Sequence, residues 1–373
     1  MVRSSILTGG ENIIFDVLIV GSGPAGVNAA EPLVKSGLKV AIVDSQLGNL
    51  KISGNTKVVQ RLGKGGFSEV WFGISDFFTT DELKISGLPV SQIKNEYKHL
   101  AKRFSLKSTK HKNLYFLPVI NNYRSSKIVD SFTKYKNFTY LPKHTVLKFR
   151  DNNKLVELQT KKGKLYSKYL ILAAGAINTT RIVLQSIKTS RALYLTKPNY
   201  ILVCLNIGRK FGINQQGYLN QDTEANSRLR YFIQFYKPFA YKPLLFKLFG
   251  ALVIADIRFP AFLSESKYLQ LKNKAFSVHV TNSPEEIIAQ KKEVSNIKKM
   301  LFSLGLIPLI TLTNRVSSHY AGGVETDIEG KLDDFKRVYV ADSASWKALP
   351  AKPITLTIMA NAVRVGKEVL KNF

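Results

Sequence analysis

The first strong pattern in the chain is four consecutive apolar residues, Val17-Leu-Ile-Val20, closed by a glycine. An unbroken apolar run of this length predicts a strand buried on both faces of a parallel sheet, here beginning near Phe15. A helix follows to about Ser36, with Gly37 as its stop, and a second apolar strand over 39–43 ends at Asp44. Pro32 falls inside that helix. It removes one backbone hydrogen bond, costs about 3 kcal/mol and predicts a kink. Residues 136–159 read as β-rich, and 169–173 as a short apolar strand. Asn178 or Thr179 is expected to cap a helix starting at Arg181. Residues 228–236 predict a half-buried strand. Residues 285–304 predict a helix that buries Ile288, Val294, Ile297 and Leu301 and stops at Gly305. The pattern closes with a strand over 338–342 and an amphipathic helix opening near Pro353, with Ile358, Ala362, Val365 and Val369 on its buried stripe.

These elements predict an α/β fold: a Rossmann-like nucleotide-binding domain with a second, mainly antiparallel β substrate domain. The loop after the first strand is Gly21-Ser-Gly23-Pro-Ala-Gly26. Gly21 permits the tight turn, Gly23 lets a pyrophosphate approach the backbone, and Gly26 lets the helix pack close to the strand. Asp44, at the end of the second strand, is placed to accept ribose hydroxyls. Strand, loop, helix, strand and acid occur in order, which makes this a specific signal. Asp342 repeats the theme at the far end: an acid after a buried strand, then a helix N-terminus. Two cofactor-contacting ends, hundreds of residues apart, predict one site closed by both termini, as in a flavoprotein. A nicotinamide-dependent enzyme uses the same N-terminal loop but leaves the C-terminal pattern unexplained.

The later segments resemble the glucose–methanol–choline (GMC) oxidoreductases, as a short divergent bacterial-type member. Leu170-Ile-Leu-Ala-Ala-Gly-Ala-Ile-Asn-Thr-Thr-Arg-Ile-Val-Leu184 is similar to that family's second signature, with Thr180 where a proline is usual. Residues 338–365 resemble its C-terminal signature, and Ser318-His-Tyr-Ala-Gly-Gly323 its catalytic-histidine segment. Gly65-Gly-Phe-Ser-Glu-Val-Trp71 resembles the glycine-rich stretch beside the flavin ring, and Gly87-Leu-Pro-Val-Ser91 is a looser match. The resemblance implies FAD as cofactor. It implies contacts from Gly65, Ser68, Val146 (near the adenine), Ala174, Gly175, Asp342 and Thr355. It also implies a discontinuous FAD domain over 12–75, 115–195 and 319–373, with a substrate or cap domain over 76–114 and 196–318.

Oxidising an alcohol carbon requires a base for the hydroxyl proton and an acceptor for hydride. Of five histidines, His99, His111 and His144 sit in lysine-rich, polar surroundings and read as surface residues. His279 alternates with apolar neighbours and reads as a strand residue. His319 lies among small residues that leave room for a ligand, and it matches the family's base. The family places Asn or His just before the proline of its last signature; here Lys352 stands there. A lysine at that point stabilises an alkoxide, binds a substrate carboxylate or phosphate, or points outward. The expected activity is FAD-dependent oxidation of a CH-OH donor, with His319 and Lys352 as catalytic candidates. The substrate is expected to be an alcohol or glycan-like small molecule, or a lipid-linked one, and the electron acceptor is not named by any motif. A flavin-binding protein without redox turnover, kept for ligand binding or assembly, is the alternative.

Composition narrows the partners. A formal net charge of +29, from 55 basic and 26 acidic side chains, attracts polyanions. The lysines are spread along the chain and no nucleic-acid module is present, so specific nucleic-acid binding is not expected. Residues 239–263 interleave basic and aromatic residues, including Tyr241, Lys242, Phe246 and Lys247, which suits an anionic membrane surface. No apolar run reaches the length of a membrane span and Met1–Gly10 lacks a signal-peptide core, so the expected location is cytoplasmic, including the inner membrane face. The single cysteine, Cys204, excludes intrachain disulfides and cysteine-based metal sites and reads as a buried structural thiol.

Overall fold

The computed structural model describes residues 13–71, 73–106, 109–111, 114–116, 120, 122–207, 218–219, 231–236, 251–273, 275–314 and 319–373. The apolar runs form a sheet whose central strands are parallel. Ile14–Val20 lies between Val40–Val43 and Gly163–Leu172, and Phe138–Leu141 extends the sheet beyond Val40–Val43. Val338–Val340 pairs in parallel with Leu170–Leu172, so the C-terminal segment joins the sheet begun at the N-terminus. The strands Val146–Asp151 and Val156–Thr160 continue the sheet in antiparallel fashion. This is the expected mixed α/β, Rossmann-like architecture.

Helices cover both faces, which is why the central strands carry no polar alternation. On one face Val17 and Ile19 pack with Ala29 and Leu33 of the helix Pro24–Lys35, and with Ala362, Val365 and Val369 of the helix Thr355–Leu370. These two helices approach so closely that a Cβ on Gly366 would lie 2.3 Å from the Ala29 carbonyl oxygen and 2.9 Å from Pro32 Cγ. The first helix runs unbroken through Pro32 to Lys35, and the proline ring serves as part of this contact. On the other face Leu18, Val20, Leu170 and Leu172 meet Ile182 and Val183 of the helix Ala176–Ile187.

A second sheet is antiparallel among its described strands. Asn199–Asn206 pairs with Leu306–Asn314 on one side and Leu252–Arg258 on the other, and Phe232–Tyr236 follows. The helix Pro284–Ser303 packs on it through Val294, Ile297 and Leu301. A capping box formed by Ser283 and Glu286 starts that helix.

Several sequence expectations need correction. The middle helix starts at Ala176, five residues before Arg181, because Gly175 at φ +83° makes the turn and occupies the cap position. Thr179 therefore sits inside the helix. Ile288 is 66% exposed, and Gln290 takes the buried place, accepting a hydrogen bond from the Tyr200 hydroxyl. The last helix begins at Thr355, two residues beyond Pro353. The segment proposed for a membrane surface divides: residues 239–250, with Tyr241, Lys242, Phe246 and Lys247, lie outside the described residues. Leu252–Arg258 is an inner strand with Val253, Ala255 and Ile257 fully buried. No described helix is long and apolar enough to cross a membrane. Cys204 is buried in the second sheet, and burial pushes its thiol up to about 11.

Candidate functional site

The carboxyl ends of the parallel strands place the predicted residues side by side. Gly21, Asp44, Ala173 and Ala341 each follow a strand of the same sheet, and their backbone N–H groups bond to the last carbonyls of neighbouring strands, Val43, Leu141, Val20 and Leu172. Ligands of open α/β sheets bind at this edge. A cavity of about 850 Å³ opens there. Its wall takes in Gly21, Gly23, Asp44, Ser68, Val146, Ala174, Gly175, His319, Asp342 and Thr355 of the predicted set.

The remaining predicted residues stand behind the wall. Gly26 lies beneath the loop, where a Cβ would come within 1.8 Å of the Gly21 carbonyl oxygen. Gly65 donates its N–H to Ser22 Oγ at 2.8 Å, and Ser22 donates in turn to the Asp44 carboxylate. The 63–71 segment is thereby tied to the glycine loop, with Gly63 and Gly66 on the cavity wall.

Lys352 is not on the wall. Its ammonium is buried against the carboxylates of Glu82 at 3.3 Å and Asp76 at 3.7 Å and donates to the Phe77 carbonyl at 3.3 Å. Desolvation pushes Asp76 up to about 6 against the opposing pull of Lys352. A Lys352→Met variant leaves two buried carboxylates without their cation, and the expected loss is about 3–5 kcal/mol of stability. Because the native pKa of Asp76 is already raised, stability is lost as pH rises through it. The deficit is therefore larger at pH 8 than at pH 5 in denaturant titrations. A variant of unchanged stability whose flavin reduction falls a hundredfold would instead place Lys352 in the chemistry.

Asp342 is buried beneath the middle helix. Its carboxylate accepts from Thr179 Oγ1 (2.6 Å), the Gly175 N–H (2.8 Å) and the Ala344 N–H (2.9 Å). Desolvation outweighs these bonds and raises its pKa to about 6. Asp44 is raised in the same way, by burial first, against hydrogen bonds from Ser22 and Ser45. His319 moves in the opposite direction. Desolvation, then Lys197 and Arg258, hold its pKa well below the usual imidazole range, so the ring is neutral at pH 7. The residues before it, 315–318, lie outside those described.

Some wall residues escaped the sequence reading. His144, read as a surface residue, lines the cavity, and its N–H donates to the Asp44 carbonyl at 2.7 Å. His99 is exposed as expected, and His279 stacks on Tyr268 in the strand Ala275–Val280. His111 lies in the strand Thr109–His111. Lys197, 2% exposed, donates to the carbonyls of Ala351 and Lys352 and so holds the turn before the last helix. Gln234, Asp256 and Arg258 reach the wall from the second sheet. Their signal was the alternation Val253-x-Ala255-Asp256-Ile257-Arg258, which puts both charges on one face.

The wall fits a dinucleotide cofactor. A Cβ built on Gly23 meets no atom within 4 Å, so it would point into open space, whereas a Cβ added to Gly66 would lie 3.3 Å from the Gly23 Cα. The N-termini of the first and last helices both border the cavity without a side-chain cap. Three buried wall atoms, Arg61 Nε, Asn178 Oδ1 and Arg181 Nε, have no hydrogen-bond partner among the described residues. The family model for pyridine nucleotide-disulphide oxidoreductases matches residues 15–193. The match supports a flavin-dependent oxidoreductase in general. FAD is the cofactor consistent with both the match and the wall. The match covers the glycine loop, Asp44 and the Gly163–Ile187 strand–helix unit, and it ends before the His319 segment and the last helix. No curated protein matches the chain.

Proposed function

We propose that the flavoprotein oxidises an alcohol carbon, with His319 as the base. One observation carries this reading: His319 borders the same cavity as the glycine loop, and its surroundings keep the ring neutral and able to accept a proton. Bound FAD supplies the hydride acceptor. The glycine loop Gly21–Gly26 and the N-terminus of its helix would hold the pyrophosphate, and Asp44 would accept the ribose hydroxyls. Val146, on the cavity wall, would border the adenine. Asp342 orders Gly175 and Thr179 along the cofactor, and Ser68 holds Ser125 against the 63–71 segment. Thr355 and its uncapped helix turn line the cavity and would stabilise the negative charge that collects on a bound flavin when it is reduced. Lys352 acts through position: with Lys197 it fixes the turn 350–353 that carries this helix start.

The resemblance of the His319 and C-terminal segments to GMC oxidoreductases supports a CH-OH donor. Anaerobic mixing of the holoprotein with primary, secondary and sugar alcohols tests it. Bleaching of the flavin bands by at least one class is expected, with an acid limb below pH 6.5 because His319 protonates only below its usual range. Persistent flavin colour with every alcohol would favour a flavin-binding role without turnover.

A further inference from the structure

The part of the wall that the second sheet supplies is polar, and most of its acceptors are already used. Register pairs Gln234 with Asp256, and Arg258 lies two residues further along the same face. The Asp256 carboxylate accepts from Arg258 Nε at 3.1 Å and Nη2 at 2.7 Å, and its other oxygen accepts from Asn199 Nδ2 at 3.4 Å. Gln234 Oε1 accepts from Arg258 Nη2 at 3.2 Å. Because a guanidinium only donates, this contact fixes the Gln234 amide with its nitrogen turned away. Arg258 Nη1 and Gln234 Nε2 make no hydrogen bond to another described residue. The wall thus offers N–H donors on an arginine held by the buried Asp256 carboxylate, in the same cavity as His319.

Resting on the reading of His319 as the base, we propose that the substrate carries a carboxylate, bound by Arg258 and Gln234, beside the alcohol that is oxidised. A guanidinium nitrogen and an amide nitrogen together match the two oxygens of a carboxylate, and the charge-assisted bond is the stronger of the two. Asp256 orients the guanidinium in advance, so little side-chain freedom is lost on binding. The hydroxy acid loses its hydroxyl proton to His319 and a hydride to FAD, leaving a keto or aldehydo acid with the carboxylate unchanged.

Matched ligand pairs test this on the holoprotein: D-glucuronate against D-glucose, and L-lactate against propane-1,2-diol. Dissociation constants come from perturbation of the flavin absorption, which reads binding without turnover. The acid of at least one pair should bind about tenfold or more tightly than its neutral twin. Arg258→Gln should remove that preference while FAD stays bound. Since Arg258→Gln leaves Asp256 unpaired, the double change Asp256→Asn with Arg258→Gln provides a folded control and should behave alike. Equal binding of acids and neutral twins, no perturbation by any ligand, or a preference that survives both variants overturns the proposal. Carboxylate binding without flavin reduction would refute alcohol oxidation alone, whereas reduction by neutral alcohols only would refute the carboxylate site alone.

Discussion

A His319→Ala variant keeps its flavin and reduces it with alcohol substrate roughly 10²–10⁴-fold more slowly than the parent, the usual contribution of a positioned general base. His319 lies outside the glycine loop, so the flavin is expected to stay bound in the variant. Rapid-mixing absorbance at the flavin bands reads the rate, and the spectrum before mixing reads the cofactor. Equal rates in variant and parent would remove His319 from the chemistry. The same burial has a thermodynamic consequence. Desolvation, Lys197 and Arg258 lower the native pKa, so between that value and about 6.5 the unfolded chain binds a proton that the native ring does not. Stability therefore falls as pH drops through this window. His319→Ala should flatten that part of the pH–stability curve even as it slows the reaction.

The second large effect separates two glycines of one loop. Gly26→Ala forces a methyl to within 1.8 Å of the Gly21 carbonyl oxygen, so strand and helix must separate and the loop loses its shape. The expected product is a destabilised protein that purifies without visible flavin bands. Gly23→Ala is the sharper test. Its Cβ meets no protein atom within 4 Å, and the residue has an ordinary φ of −68°. The apoprotein should keep its stability to within about 0.5 kcal/mol. The methyl nevertheless occupies the space through which a pyrophosphate approaches the backbone, so FAD affinity should fall by about tenfold or more. Titration of apoprotein with FAD measures this. Parent-like affinity in Gly23→Ala would place the pyrophosphate elsewhere on the wall.

Local patterning made the cofactor half of the molecule legible. Val17–Val20 is apolar throughout because both faces of its strand are covered, and Gly21 and Gly26 each answer a backbone requirement that no side chain tolerates. Such requirements act over a few residues, so they can be read in order along the chain. The start of the middle helix was misplaced because Thr179, a good capping residue in isolation, bonds instead to Asp342, 163 residues away. Ile288 was misassigned for a related reason: a stripe shifted to Gln290, Val294, Ile297 and Leu301 satisfies the same sheet. His144 was set aside for its polar neighbours, although the strand end after Leu141 carries it to Asp44.

The sequence by itself determined the parallel sheet, the glycine loop, the two acids that end its strands, and the last helix. Each depends on hydrophobic period or on backbone space, and both are local quantities. Only the tertiary structure decided which polar side chains share the cavity. It turned Lys352 inward to Asp76 and Glu82, set Lys197 beneath the turn 350–353, and brought Gln234, Asp256 and Arg258 to the wall that His319 also borders. A buried charge is stable only with its partners, and those partners come from segments far apart in the chain. Their meeting is a property of how the two sheets pack, which no single stretch of residues encodes.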